Sequence, residues 1–233
     1  MRRALIAGLL SLCAAAPALA YIPHVDWLME RLAEKRAVLK LHQLKVELRC
    51  SPDGSAPKPE VLYLKTTGVV RRERADGSLE ICRAGKCRLR QADGKVVERP
   101  EWAYLQYLYF ADGSGTAQRF ERLLAALKVD TKVSTLSRFN ARIAWVVGAK
   151  EWERDRPQLW LDKDSYLPLR LMVRDGGSIV DLVWRGWGSR ATGDWFPASL
   201  EVHRDGKPVE LCEAASVESR LEMPDELFQL PAK

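Results

Sequence analysis

Residues 157–173 read PQLWLDKDSYLPLRLMV. A half-buried strand alternates apolar and polar side chains, yet Leu159, Trp160 and Leu161 are consecutive and apolar, so a strand through them is apolar on both faces. Asp162 to Ser165 then form a polar turn before a second apolar run, Leu167 to Val173. Both faces of such strands need cover, either from the protein itself or from a ligand that comes and goes.

The same double-sided pattern extends outward. Ile143, Trp145 and Val147 share one face while Ala144 and Val146 take the other, and Val180, Leu182 and Trp184 back onto Ile179 and Val183. Val61-Leu62-Tyr63-Leu64 repeats it earlier. Elsewhere the strands alternate cleanly: Leu44, Val46, Leu48 and Cys50 oppose Lys45, Glu47 and Arg49, and Phe196 to Val202 alternate with Ser199, Glu201 and His203. Asp-Gly pairs at 53–54, 76–77, 93–94, 112–113, 175–176 and 205–206 supply the turn chemistry of antiparallel hairpins.

Two regions carry a helical period instead. Trp27, Leu28, Arg31, Leu32 and Lys35 follow Asp26, which is expected to cap a helix of about three turns. Trp102, Leu105, Leu108 and Tyr109 form a second helical run, and after the break at Asp112-Gly113-Ser114-Gly115 the run Phe120, Leu123, Leu124 and Leu127 forms a third. The expected fold class is α+β: a curved antiparallel sheet, an incomplete β-barrel, covered by a few α-helices that act as a lid.

Residues 1–20 read as a cleaved secretory signal peptide, with Arg2 and Arg3, an apolar run from Ala4 to Ala16 and the small-residue site Ala18-Leu19-Ala20. The run is shorter than the ~20 residues that cross a bilayer. Residues 21–233 are then expected to form one domain. Removing Arg2 and Arg3 from 37 basic residues leaves 35 against 31 acidic ones, a net of +4. That excess is spread along the chain and carries no nucleic-acid footprint.

Cys50, Cys82, Cys87 and Cys212 remain after cleavage, an even number that admits three disulfide connectivities in an oxidising compartment. In ICRAGKCRL the four residues between Cys82 and Cys87 include Gly85 and make a hairpin loop, which favours their pairing and leaves Cys50 with Cys212. His24, His42 and His203 show no ligand spacing with these cysteines, so no zinc site and no other metal or cofactor is expected. Asp162 and Asp164 lack the further oxygen ligands of a calcium loop. Nucleophile elbow, phosphate-cradling loop and zinc-helix motifs are absent, and no catalytic residue and no enzyme activity are expected. Arg71, Arg72 and Arg74, with Arg83, Lys86, Arg88 and Arg90, are the densest basic region, suited to an acidic partner or a transient contact with a negative membrane surface.

The order of elements resembles the LolA-like family, periplasmic carriers that escort lipoproteins from the inner to the outer membrane of Gram-negative bacteria. Leu159 to Asp162 (LWLD) and Leu167 to Leu171 (LPLRL) are similar to the family's central hairpin, Val61 to Lys65 (VLYLK) to its early LWVK strand, and Leu227-Phe228 to its closing segment. The resemblance implies an apolar cavity between sheet and helices for acyl chains, and the candidate lining is Leu62, Leu64, Trp102, Leu105, Phe120, Leu124, Trp145, Trp160, Leu182 and Trp184. It implies a monomeric periplasmic carrier whose client is an acylated lipoprotein or other lipid, with an inner-membrane transporter and an outer-membrane acceptor as partners, and no covalent chemistry. A regulatory module that senses lipoproteins and binds a membrane-bound regulator is the alternative within the same shape, although the second domain that characterises it is missing from the pattern. Where the family carriers have Lys-Arg-Pro, with the arginine contacting the lid, this chain has Lys65-Thr66-Thr67. The lid contact is then absent or supplied elsewhere, for example by Arg71 or Arg72.

Overall fold

The computed structural model describes residues 22–65, 67–83, 85–100 and 116–230. The signal peptide, the helical run around Trp102 and the Asp112-Gly113 break lie outside these residues. Among the described residues no helix is long and apolar enough to cross a membrane.

Thirteen strands form one antiparallel sheet: β1 (Gln43–Pro52), β2 (Lys58–Lys65), β3 (Val69–Arg74), β4 (Leu79–Arg83), β5 (Lys86–Arg90), β6 (Val96–Pro100), β7 (Ser134–Phe139), β8 (Arg142–Val147), β9 (Gln158–Asp162), β10 (Pro168–Asp175), β11 (Ser178–Arg185), β12 (Ser199–Arg204) and β13 (Lys207–Glu218). Their spatial order is β6-β5-β4-β3-β2-β1-β13-β12-β11-β10-β9-β8-β7. Every neighbour is also a sequence neighbour except β1 and β13, so the chain runs as two meanders zipped together at its first and last strands. β6 and β7 stand at opposite ends of this order, and the curved sheet is not closed into a barrel.

The strand order gathers five Asp-Gly turns at one end of the sheet, those of β1–β2, β3–β4, β5–β6, β10–β11 and β12–β13. At Asp53-Gly54 and Asp205-Gly206 both residues take positive φ (48° and 74°, 48° and 77°), the primed geometry that follows the twist of paired strands. The Cys82–Cys87 hairpin is tighter than a four-residue loop. Arg83 and Lys86 still pair, which leaves two residues to turn the chain.

Two helices, α1 (Val25–Ala37) and α2 (Ala117–Ala126), pack against each other and on one face of the sheet, called here the inner face. Asp26 is not the cap of α1. His24 occupies that position without a side-chain bond, and Asp26 lies in the first turn, where its charge suits the helix N-terminus. Val25, Leu28, Met29, Leu32 and Arg36 make the buried stripe of α1; Phe120 and Leu124 are the buried pair of α2, which is capped by Thr116 Oγ1 accepting from Arg119 N.

In-register rows of inner-face side chains meet the helices. Leu44, Leu64, Val70, Cys82 and Cys87 cross β1–β5, and Val147, Leu159, Leu171, Leu182 and Val202 cross β8–β12. The outer face of β8–β10 is covered by protein. Trp160, Ala144, Val146 and Leu169 form a separate buried cluster there with Phe139 packed against it. A bulge between Pro168 and Arg170 admits Leu169 to this cluster out of the strict alternation. Both expected disulfides form, Cys50–Cys212 across β1–β13 and Cys82–Cys87 across β4–β5.

Candidate lipid-binding face

Of the ten residues expected to line a cavity, seven come together. Leu62 and Leu64 of β2, Phe120 and Leu124 of α2, Trp145 of β8, and Leu182 and Trp184 of β11 belong to one continuous inner-face cluster with Leu28, Met29 and Leu32 of α1. Trp160 lies across the sheet in the outer cluster, since its neighbours Leu159 and Leu161 take the inner side. Trp102 and Leu105 lie outside the described residues.

Among the described residues this apolar surface is packed shut. The seven side chains are 0–6% exposed, so the face is shielded from solvent. Closure is the physically favoured state without ligand, because a dry void forfeits the dispersion contacts of the atoms around it. The indole Nε1–H of Trp145 is buried in this closure without a hydrogen-bond partner.

The inner face changes character towards β3–β6. Arg72 of β3 donates to Glu60 (2.6 Å) and to Glu210 (2.5 Å), and Glu80 of β4 accepts from Arg74 (3.0 Å) and Arg99 (2.7 Å). Three arginines face three glutamates, which compensates charges whose burial alone is costly. A cavity of about 210 Å³ opens beside this network at the Asp-Gly end, bounded by Pro52, Arg72, Val180, Val202, Arg204 and Glu210.

The sequence reading missed Arg36. It is fully buried in the last turn of α1, donates to the carbonyls of Asp194 (2.5 Å) and Trp195 (3.0 Å), and lies 5.3 Å from the Trp187 ring. Its position was legible, because 36 continues the stripe 25, 28, 29, 32. Arg71 and Arg72, the candidates for a lid contact, have the following partners among the described residues. Arg71 donates to the Leu227 carbonyl (2.5 Å) and pairs with Glu73, and Arg72 holds the inner-face glutamates.

Arg83, Lys86, Arg88 and Arg90 of the basic region alternate with inward-facing Cys82 and Cys87 and sit on the outer face. The C-terminal segment packs there through Met223 and Phe228 against Val69, and a groove of about 840 Å³ separates it from β4–β6. Ile81, Phe228 and Leu230 floor the groove; Arg83, Lys86 and Arg88 are exposed along it. Asp162 closes the β9–β10 turn. Burial pushes its carboxyl up, but donation from Ser165 N (2.9 Å), the Ser165 hydroxyl (3.0 Å) and Asp164 N (3.1 Å), with the charge of Arg142, outweighs that and holds it below the usual aspartate range.

A curved, open antiparallel sheet with helices laid on its apolar inner face is shared with solved structures. A LolA superfamily protein from Nitrosomonas europaea superposes with a TM-score of 0.55 at 11% identity, over 89% of this chain and 98% of that one. This chain has a LolA-like fold. An outer membrane lipoprotein-sorting domain from Vibrio parahaemolyticus gives 0.54 at 11% identity over 88% and 97% of the two chains, and a DUF1329 family protein from Desulfovibrio piger gives 0.53 at 13% over 88% and 97%. No protein-family model matches the sequence, and no curated protein does. The LolA-like likeness is therefore one of architecture, carried by patterning rather than by shared residues.

Proposed function

We propose that the protein is a soluble periplasmic carrier that takes up the acyl chains of a lipoprotein, or of a similar lipid, between its helices and the inner face of its sheet. It passes them towards the outer membrane without covalent chemistry. The observation that carries this reading is the apolar inner face itself, which runs from Leu62 to Trp145 across a LolA-like sheet and is covered by two short helices among the described residues.

Uptake replaces the helix contacts with hydrocarbon contacts. Each buried methylene contributes about 0.8 kcal/mol, so ten supply about 8 kcal/mol to hold the helices off the sheet and keep the chain out of water. Both disulfides suit an oxidising compartment. The exposed cations of the outer groove suit a transient contact with an anionic membrane surface, and a transporter at the inner membrane and an acceptor at the outer one would load and unload the carrier.

The test is lipid extraction and native mass spectrometry of the protein purified from the periplasm of its own host. A lipidated polypeptide bound one-to-one is the expected result, and it should be lost in Phe120→Glu, which places a charge under α2. Free phospholipid alone excludes a lipoprotein client, and no bound lipid overturns the carrier reading.

A further inference from the structure

Trp145 stands on β8, one strand in from the β7 edge of the sheet. It belongs to the inner-face cluster, is 6% exposed, and its Nε1–H finds no acceptor. Its partners across the neighbouring strands are Leu136 and Leu161, whose side chains cannot accept a hydrogen bond. Two other indoles of this region are satisfied: Trp160 Nε1 donates to Gln158 Oε1 (2.8 Å) and Trp187 Nε1 to the Pro168 carbonyl (2.7 Å). A buried donor left unpaired destabilises a protein, and native structures rarely keep one without use. Phenylalanine would fill most of the same volume with no such penalty.

We propose that Trp145 Nε1–H is the hydrogen-bond donor to the carbonyl of the bound acyl chain, the ester carbonyl that joins fatty acid to glycerol in an acylated client. The inference rests on the carrier reading and adds to it a recognition group and a direction. A hydrocarbon tail offers only dispersion and hydrophobic contact to Leu62, Leu182 and Phe120, which fixes neither its depth nor its orientation. A donor set in that apolar surface near the sheet edge fixes both, because the carbonyl is the first polar atom met on passing from tail to head. With the donor next to the sheet edge, the carbonyl sits near β7 and β8, the polar head beyond it towards solvent, and the tail runs inward towards β11 and β1. The unpaired donor of the closed form becomes paired as ligand enters. Closed protein is thereby disfavoured relative to loaded protein, and ester-linked chains are preferred over chains of equal length that lack a carbonyl.

The experiment compares two synthetic diacylglyceryl-cysteine peptides, one ester-linked and one ether-linked, for binding to the mature protein and to Trp145→Phe. Wild type is expected to bind the ester about five- to tenfold more tightly, the effect of one buried hydrogen bond. Trp145→Phe is expected to bind both with the affinity wild type shows for the ether, and to melt no lower than wild type. In protein labelled with 15N-tryptophan, the indole resonance that Trp145→Phe removes is expected to move downfield with the ester and stay in place with the ether. Equal wild-type affinities for the two peptides, or an indole resonance that does not respond to the ester, overturn the assignment while leaving the carrier reading intact. Binding of neither peptide overturns both. The wild-type comparison and the resonance shift need no variant, so a folding defect in Trp145→Phe does not shelter the idea.

Discussion

Arg170 lies against Trp160 on the outer face, with its guanidinium 5.6 Å from the indole centroid, while two parallel hydrogen bonds of 2.8 and 2.6 Å hold it to Asp181 on the next strand. The second face of the LWLD strand is thus roofed by an ion pair whose planar cation also serves as packing surface. Arg170→Met keeps the stem and loses the fork. A loss of about 1–3 kcal/mol is expected, read as a lower urea midpoint, because the charge-assisted bonds are part-buried and Asp181 is left behind. Trp160→Ala removes a side chain that is 3% exposed and should cost more, about 3–5 kcal/mol. Neither change touches the inner face, so both folded variants should retain lipid; loss of lipid from a folded Trp160 variant would place the site on the wrong side of the sheet.

Arg36 fastens the end of α1 to the loop that joins β11 to β12. Its two carbonyl acceptors come from residues more than 150 positions away in sequence, so the contact ties the helical cover to the second half of the sheet. Arg36→Leu is expected to lower stability by about 2–4 kcal/mol, since two hydrogen bonds from a buried charged donor are lost. Hydrogen exchange should accelerate in α1 and in residues 186–195 before it does so in β1 or β13, and lipid exchange between protein molecules should become faster. Uniform acceleration across the sheet would show that Arg36 is a global support and not a fastening of the cover.

The two disulfides differ sharply in the loops they close. Cys50 and Cys212 are separated by 162 positions and join the first and last strands where the two meanders meet, whereas Cys82 and Cys87 are 5 apart within one hairpin. Loop-closure entropy gives roughly 5 kcal/mol for the long loop and roughly 2 kcal/mol for the short one. The double replacement Cys50→Ala with Cys212→Ala should therefore shift the denaturant midpoint well beyond the Cys82→Ala, Cys87→Ala pair. Equal shifts would mean that the β1–β13 seam already persists in the unfolded chain.

Much of this fold was legible because its signals are local. Asp-Gly pairs mark five of the hairpins, alternation marks β1, and the Cys82–Cys87 spacing marks a hairpin that the structure contains. The doubly apolar strands announced that two faces needed cover, but not which side chains went where. Trp160 shows why: alternation places it opposite Leu159 and Leu161, yet choosing the inner side requires knowing where the helices lie, which is tertiary information. Arg72, Glu60 and Glu80 are charged residues whose inner-face burial, like their partners on β6 and β13, depends on how the strands pair and could not be read from the sequence. The unpaired indole of Trp145 has no sequence signature at all, because an unmet hydrogen bond is a property of the surroundings.

Stability should fall on acidification through a small set of carboxylates. The Arg185 hydrogen bond holds Glu201 below the usual glutamate range, and the Ser78 donors do the same for Asp76, in each case against the opposing effect of burial; Asp162 is also held low by its turn donors and Arg142. For groups depressed in the folded state, the unfolded chain takes up protons first as pH drops. Their contribution is complete above the unfolded values near pH 4 and disappears as pH falls through the lower folded values. The urea midpoint should therefore be flat from about pH 5 to 7 and decline below about pH 4. Asp162→Asn keeps an oxygen to accept from Ser165 but removes the charge, so the variant should be less stable than wild type at pH 7 and converge with it as pH approaches 2. A gap between the two proteins that stays constant across this range would assign the effect of Asp162 to the geometry of its turn alone, with no part for its ionised carboxylate.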